Sequence, residues 1–377
     1  MARKLKSDKL LFTATLLLVC TSIVMVYSAS AVIATEKWQD PYRFLFKQAA
    51  WVLIGLSLVP IVMHIDYRSY RQPAVIWSAL GIAGFALVAV LFSSPVNGAS
   101  RWLHIGPLGV QPSELAKIAI ILFTAALLER RMDRIDELPY ALLPIGVTTG
   151  VIVGLILVEP DLGTAVSVLV IAGAMVFAAG ISYRYILALA LVAIPAFYVV
   201  VMAQAYRVHR MLAFLDPWSD PQGKGYQVIQ SMCAVGTGGF FGTGLMGGIL
   251  KLFYLPEAHN DFIYAVIAEE LGLVGATAVL VCFCVITWRG LRTAMRAPDR
   301  FGALLAVGLT VMIAFQALLN ISVVTGLAPT KGIPLPFVSA GGSSLLINLL
   351  GMAILLNVSQ HASSPHVVTM NMAKPDA

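Results

Sequence analysis

Ten apolar runs, separated by polar connections, leave this chain few ways to fold. They cover 10–34, 47–65, 73–94, 114–128, 139–158, 162–180, 184–204, 261–288, 302–325 and 342–360. An aqueous globule cannot hide that much hydrocarbon, whereas about 20 apolar residues make one helical crossing of a bilayer. The expected fold class is an all-α polytopic membrane protein of about ten transmembrane helices, with a large extracytoplasmic loop between the seventh and eighth. Composition agrees, at 59% hydrophobic and 12% charged with a mean hydropathy of +0.86. The run 114–128 is short for a crossing, so its polar ends are expected to extend it. Ala29-Ser30-Ala31 mimics a signal-peptidase site behind Arg3, Lys4, Lys6 and Lys9. The apolar run before it is too long for a signal-peptide core and continues to Ala34, so the first helix is read as uncleaved.

Basic residues set the expected orientation. Placing the N-terminus inside puts Arg3, Lys4, Lys6, Lys9, Arg68, Arg71, Arg130, Arg131, Arg134, Arg184, Arg289, Arg292, Arg296, Arg300 and Lys374 in inner segments, fifteen of the 25 Lys and Arg residues. The positive-inside rule then predicts both termini in the cytoplasm and segments 95–113, 205–260 and 326–341 outside. One integral membrane domain is expected over 1–360, with 361–377 as a disordered cytoplasmic tail. The net charge of +6 follows from this topology and does not call for a nucleic-acid partner. Cys20, Cys233, Cys282 and Cys284 have neither disulfide-framework nor zinc spacing.

The long segment 205–260 is where function is expected, because connections of that length usually carry it. It alternates apolar residues with glycines, so short helices lying in or dipping into the interface beside a cavity are predicted. It ends in Leu255-Pro256-Glu257-Ala258-His259-Asn260-Asp261-Phe262. Two carboxylates and an imidazole crowd the mouth of the eighth helix. Asp261 has two readings at this point, as a helix N-cap or as a general base for a hydroxyl proton. Glu257 and His259 are close enough in sequence to tune it or to hold a cation. Glu269 and Glu270 follow roughly 12 Å deeper on the same helix, where acids face a polar cavity or a partner.

Other polar groups are weighed the same way. Glu114 and Lys117 are an i,i+3 pair near a helix start, or Lys117 faces an anionic head group at the outer surface. Arg101-Trp102 is an outer cation beside an interfacial aromatic, which as a simpler reading is a membrane anchor. Arg207, Arg210, Lys224, Lys251 and Lys331 are further outer cations suited to a diphosphate. Gly242-Thr243-Gly244-Leu245-Met246-Gly247 fits G-x-G-x-x-G but lacks the strand and βαβ setting of a dinucleotide site, so it is rejected as one. Pro329 to Phe337 reads as a rigid turn before Ser339-Ala340-Gly341-Gly342-Ser343-Ser344. Ser343 and its neighbours either cap the last helix or offer backbone N–H groups to an anion.

Taken together, these motifs resemble the SEDS family of membrane glycosyltransferases, which polymerise the cell-wall precursor lipid II. The resemblance runs from Val26-Tyr27-Ser28-Ala29-Ser30 to Gly341-Gly342-Ser343-Ser344. Val96-Asn97-Gly98, Glu159 to Ala165, Phe214 to Trp218, Lys251 to Asp261 and Pro329 to Gly332 favour its cell-division branch over its elongation branch. Ala340 replaces the Tyr usual in the family, and Ala268 replaces a Gly frequent in division members. The resemblance implies Asp261 as the catalytic residue, a general base for the acceptor hydroxyl, with Arg101, Glu114, Lys117, Arg210, Lys251, Glu257, His259, Lys331 and Ser343 as candidate substrate-binding residues. No resident cofactor is implied, although a divalent cation (Mg or Mn) is compatible with a diphosphate leaving group. Implied partners are lipid II and the growing glycan strand, a class B penicillin-binding protein that cross-links it, other divisome proteins and membrane lipid. The implied location is the bacterial cytoplasmic membrane at the septum. A lipid II flippase and a non-catalytic division scaffold are the alternatives.

Overall fold

A computed structural model describes residues 7–93, 100–105, 108–135 and 137–362. Val96-Asn97-Gly98, the first basic residues and the tail beyond Ala362 fall outside the described residues. The helices are α1 (Lys9–Trp38), α2 (Arg43–His64), α3 (Pro73–Val90), α4 (Pro112–Arg131), α5 (Leu143–Val158), α6 (Leu162–Ala178), α7 (Tyr183–Met202), α8 (Ala205–Leu215), α9 (Tyr226–Thr237), α10 (Ile263–Arg296), α11 (Arg300–Val324) and α12 (Gly342–Ala362). One departure from the all-α expectation is a small antiparallel hairpin, β1 (Leu103–Ile105) on β2 (Leu108–Val110), between α3 and α4.

Local chemistry sets the helix starts. Asp8, Asp161 and Asp299 cap α1, α6 and α11 by accepting backbone N–H groups of the first turn. Pro73 and Pro112 occupy first-turn positions of α3 and α4, where no backbone donor is needed. Among the described residues, seven helices are long and apolar enough to cross a membrane: α1, α2, α3, α5 with the turn before it, α10, α11 and α12. The apolar α6 is shorter. α4 forms the centre of the bundle with α11 and α12, and its long buried list includes the charged Glu114 and Lys117. As the sequence suggested, its polar ends extend it beyond the apolar run.

Ionic contacts gather the segments by side. Near one end Arg289 pairs with Asp8, Arg68 with Asp299, Arg71 with Glu129 and Arg300 with Asp133. These are the segments that charge counting assigns to the inside. The hairpin, the α7–α10 connection and the α11–α12 connection meet at the opposite end.

The α7–α10 connection contains α8, α9 and a glycine-rich strap that crosses a break in α10. At Gly272 the helix takes φ 65° and ψ −164°, a conformation essentially restricted to glycine. The carbonyls freed by the break accept Thr243 N–H (2.9 Å to Glu269 O) and Gly244 N–H (3.0 Å to Glu270 O). On the far side, Leu273 N–H reaches Gly239 O at 2.8 Å. Backbones pack so closely that a Cβ on Gly238 would sit 1.9 Å from the Ala268 carbonyl oxygen. The glycines rejected as a nucleotide fingerprint therefore serve a close backbone crossing.

Both deep glutamates hold this strap. Glu269 Oε1 accepts the N–H groups of Ile249 (2.7 Å) and Leu250 (3.1 Å), and Glu270 Oε2 accepts Met246 N–H at 3.0 Å. Lys251 closes the network. Its ammonium pairs with Glu270 and donates to Ser28 Oγ at 2.9 Å, all three groups buried. Lys251 is thus a buried tie between α1, the strap and α10, and not the outer cation expected from sequence. Its apolar surroundings forced a carboxylate partner on it.

Candidate active site

The strap delivers the chain to Asp261, immediately before α10. Three consecutive carbonyls there are held from outside the segment. Ala340 N–H reaches His259 O at 3.1 Å, Ser339 Oγ donates to Asn260 O at 2.6 Å, and Asn320 Nδ2 donates to Asp261 O at 2.7 Å. The same Asn320 amide donates to Ile333 O at 2.7 Å, so one side chain on α11 ties the Asp261 segment to the 329–341 connection. The backbone is pinned while the carboxylate is left open. Asp261 makes no capping bond: the residue at the N-cap of α10 is Phe262, and no side chain caps that end. Among the described residues no hydrogen-bond donor reaches the Asp261 carboxylate. The N-cap alternative falls away.

Asp261 lines a cavity of about 440 Å³ with Arg101, Trp102, Arg210, Glu257 and Lys331 among its other walls. Gly332 lies directly beneath the acid, where a Cβ would come within 2.8 Å of Asp261 Oδ2. Arg101 is aimed by the α5–α6 corner, its guanidinium donating to Glu159 O at 3.1 Å and Pro160 O at 2.7 Å. Arg210 projects from α8 and donates to Thr330 O at 3.4 Å. A smaller cavity of about 70 Å³ adjoins and adds Arg207 and Asp161 to the wall shared by these cations. Trp102 belongs to the cavity wall, a role beyond membrane anchoring.

Electrostatics at this spot are unusual. Burial, then the neighbouring Glu257 carboxylate, pushes the Asp261 carboxyl up to about 7, against the pull of Arg210 and Arg101. Burial, reinforced by Arg210, Arg207 and Arg101, brings the Lys331 ammonium down to about 8. The Lys331 ammonium makes no hydrogen bond or ion pair among the described residues, while its carbonyl accepts Ile333 N–H at 3.0 Å. The Asp261 carboxyl and the Lys331 ammonium thus line one cavity with their pKa values drawn towards each other, Asp161 alone opposing the fall at Lys331.

Several sequence candidates lie elsewhere. Lys117 is buried in the bundle, bonded to Glu114 at 2.9 Å and to Gln316 Oε1 at 2.8 Å. It does not face an outer head group; a buried ammonium needs a carboxylate beside it, and Glu114 one helical turn away supplies it. Both are interior supports. His259 is half-buried with its ring against Phe44 and contributes its carbonyl to the backbone clamp; desolvation lowers its pKa. Ser343 is buried at the start of α12, where its Oγ accepts Gln111 N–H at 3.3 Å. The cavity wall is formed instead by Ser344, which is also reached by Asn348 and Gln316.

Residues that the sequence reading passed over supply the support. Gln316 Nε2 donates to Pro334 O at 3.0 Å, one turn before Asn320 on the same face of α11. Two amides four residues apart in an apolar helix were the available signal. Glu159 is buried at the end of α5, and burial, then Asp161, pushes its carboxyl up to about 8. No three His, Cys, Asp or Glu side chains converge as a metal site among the described residues.

A bundle of apolar helices enclosing a charged, acid-bearing cavity near one end defines a class: polytopic membrane proteins with a polar site set at one end of the bundle. The chain belongs to the cell cycle protein family of FtsW, RodA and SpoVE, whose family pattern matches residues 8–364. It is 44% identical over 356 residues to the probable peptidoglycan glycosyltransferase FtsW of Geobacter sp. (strain M18), covering 93% of this chain and 96% of the relative. It is 41% identical over 366 residues to stage V sporulation protein E of Bacillus subtilis, covering 96% and 99%. Among solved structures it matches a chain described under structural coordination of polymerization and crosslinking by a peptidoglycan synthase complex. That match has a TM-score of 0.79 and 30% identity, and covers 96% of this chain and 99% of the other. The rod shape determining protein RodA of Thermus thermophilus matches with a TM-score of 0.71 at 27% identity, covering 96% and 99%.

Proposed function

We propose that this chain is a peptidoglycan glycosyltransferase that polymerises lipid II on the outer face of the cytoplasmic membrane, with Asp261 as general base. The observation that carries the reading is the Asp261 carboxylate, clamped through its backbone, without a hydrogen-bond donor among the described residues, in a cavity it lines with Arg101, Arg210 and Lys331. The 4-hydroxyl of the acceptor sugar attacks the anomeric carbon of the lipid-linked donor. As the new C–O bond forms, the hydroxyl proton passes to Asp261, and the bond to the diphosphate oxygen breaks with its electron pair. Undecaprenyl pyrophosphate leaves, and a single displacement turns an α-linked donor into a β-1,4 glycan. A carboxyl near pKa 7 is a better base at neutral pH than an ordinary aspartate.

The three cations meet the charge that develops on the leaving diphosphate, the kind of preorganised electrostatic help that often dominates catalysis. Asp261 and Glu257 line one cavity, and Mg²⁺ commonly takes one or two carboxylates together with substrate phosphates. Those two carboxylates together with the substrate diphosphate would be the ligands of such an ion.

Both termini are cytoplasmic in this reading, which puts the cavity outside. Relatives named FtsW support a role in septal synthesis, and the synthase-complex match supports partnership with a class B penicillin-binding protein. The test is glycan synthesis from purified lipid II by the protein co-purified with its transpeptidase, the latter blocked, comparing wild type with Asp261→Asn. Polymer from wild type alone supports the assignment. Equal polymer from both removes Asp261 from the chemistry, and polymer from neither returns the flippase and scaffold alternatives.

A further inference from the structure

A second basic cavity lies at the opposite end of the bundle. It encloses about 190 Å³ between the start of α1, the end of α10 and the end of α12. Lys9, Arg289, Arg292 and Arg296 line it against a single carboxylate, Asp8. That carboxylate is already committed. Asp8 Oδ1 caps α1 and Oδ2 receives the Arg289 guanidinium, with Nε at 2.6 Å. Asp8 N–H also reaches Ser359 Oγ on α12 at 3.2 Å, so the three helix ends form a built frame.

Arg292 and Arg296 have no carboxylate partner among the described residues. Arg292 is half-buried with its guanidinium 5.8 Å from the Trp288 ring, and Arg296 is exposed. Four cations lining one cavity against one carboxylate leave a net positive charge that an anion joining them would relieve. Helical spacing shows where that anion would come from. Arg289, Arg292 and Arg296 follow one stripe of α10, and the adjoining stripe carries Val281, Trp288, Leu291 and Met295, all exposed. An apolar track leading to a cluster of guanidinium groups, with an interfacial tryptophan beside it, matches an acyl chain continued by a phosphodiester.

We propose that this cavity binds the phosphodiester of an anionic phospholipid in the leaflet it faces, tying α1, α10 and α12 together. None of its residues belongs to the Asp261 cavity, so the proposal stands apart from the catalytic reading. The bland alternative is that the arginines serve only topology and the dipoles of the helix C-termini.

The test uses the full-length protein in neutral detergent, with thermal unfolding followed as phosphatidylglycerol, phosphatidylcholine or inorganic phosphate is added. Arg292→Gln/Arg296→Gln is compared with wild type. Saturable stabilisation by phosphatidylglycerol is expected in the wild type, with half-saturation raised about thirtyfold in the variant, since each cation near an anionic lipid surface is worth about a factor of five. Native mass spectrometry should show one retained phosphatidylglycerol lost selectively from the variant. Equal phosphatidylglycerol response in both proteins, equal stabilisation by phosphatidylcholine, or full replacement by inorganic phosphate would each overturn the proposal. If the variant fails to fold, Arg296→Gln alone, at an exposed position, carries the same comparison.

Discussion

With Asp261 and Lys331 in the proposed roles, the pH dependence of kcat/KM should be a narrow bell, because the two groups titrate close together. Asp261 must be ionised to accept a proton, so activity is lost as pH falls through about 7. Lys331 must be protonated to meet the leaving diphosphate, so activity is lost as pH rises through about 8. With limbs so placed, both groups are in the required state in only about 60% of molecules at the optimum near pH 7.5. By the same arithmetic, kcat/KM at pH 6 and at pH 9 should each be about sevenfold below the maximum. The assay is initial-rate polymerisation of lipid II at substrate concentrations well below KM, so that the profile reports the free protein.

Two variants assign the limbs. Glu257→Gln removes an anion that raises the Asp261 carboxyl, so the acid limb should move to lower pH. Lys331→Arg keeps the charge beyond pH 9, so the alkaline limb should vanish. A wild-type profile flat between pH 5.5 and 8.5, or an acid limb indifferent to Glu257→Gln, would refute the reasoning and place the titrating group elsewhere.

Asn320→Leu removes the amide that bridges Asp261 O and Ile333 O, two bonds of about 1 kcal/mol each. If that energy positions the base, polymerisation should fall about thirtyfold with unfolding temperature little changed, and an unchanged rate would exclude Asn320 as a positioning residue. Glu270→Gln should destabilise the protein by about 3–5 kcal/mol by stranding the buried Lys251 ammonium. Adding Lys251→Met should recover part of that loss in a thermal-unfolding double-mutant cycle, whereas strict additivity would deny the coupling. Gly272→Ala places a side chain in a conformation open essentially to glycine and within 2.3 Å of the Gly242 nitrogen. A destabilisation of at least about 1–3 kcal/mol is expected; wild-type thermal stability would show that the α10 break does not need glycine.

How much of this was legible in the chain differs by element. The helices were readable because a bilayer imposes a length and a polarity on each crossing, and their capping acids and first-turn prolines are local signals. Asp261 was likewise nameable as an acid at a hydrocarbon boundary, and Arg101, Arg210 and Lys331 as cations in the outer connections. The sequence offered nothing to separate Lys331 from Lys251 and Lys117, all lysines in segments near the same end. Neighbours separate them: Glu270 neutralises one and Glu114 another, while Lys331 is left among arginines.

What the sequence determined alone is the membrane class, the grouping of segments by charge and the short list of acids and bases, because each follows from the cost of leaving a side chain or backbone group in the wrong solvent. The tertiary structure decided which of those charges are spent on one another and which line the cavity. That decision rests on contacts between residues far apart in sequence, such as Ser28 with Glu270 and Asn320 with Asp261, and no local pattern encodes them. In a low-dielectric interior a neighbour within hydrogen-bond reach sets whether a charge is a strut or a reagent.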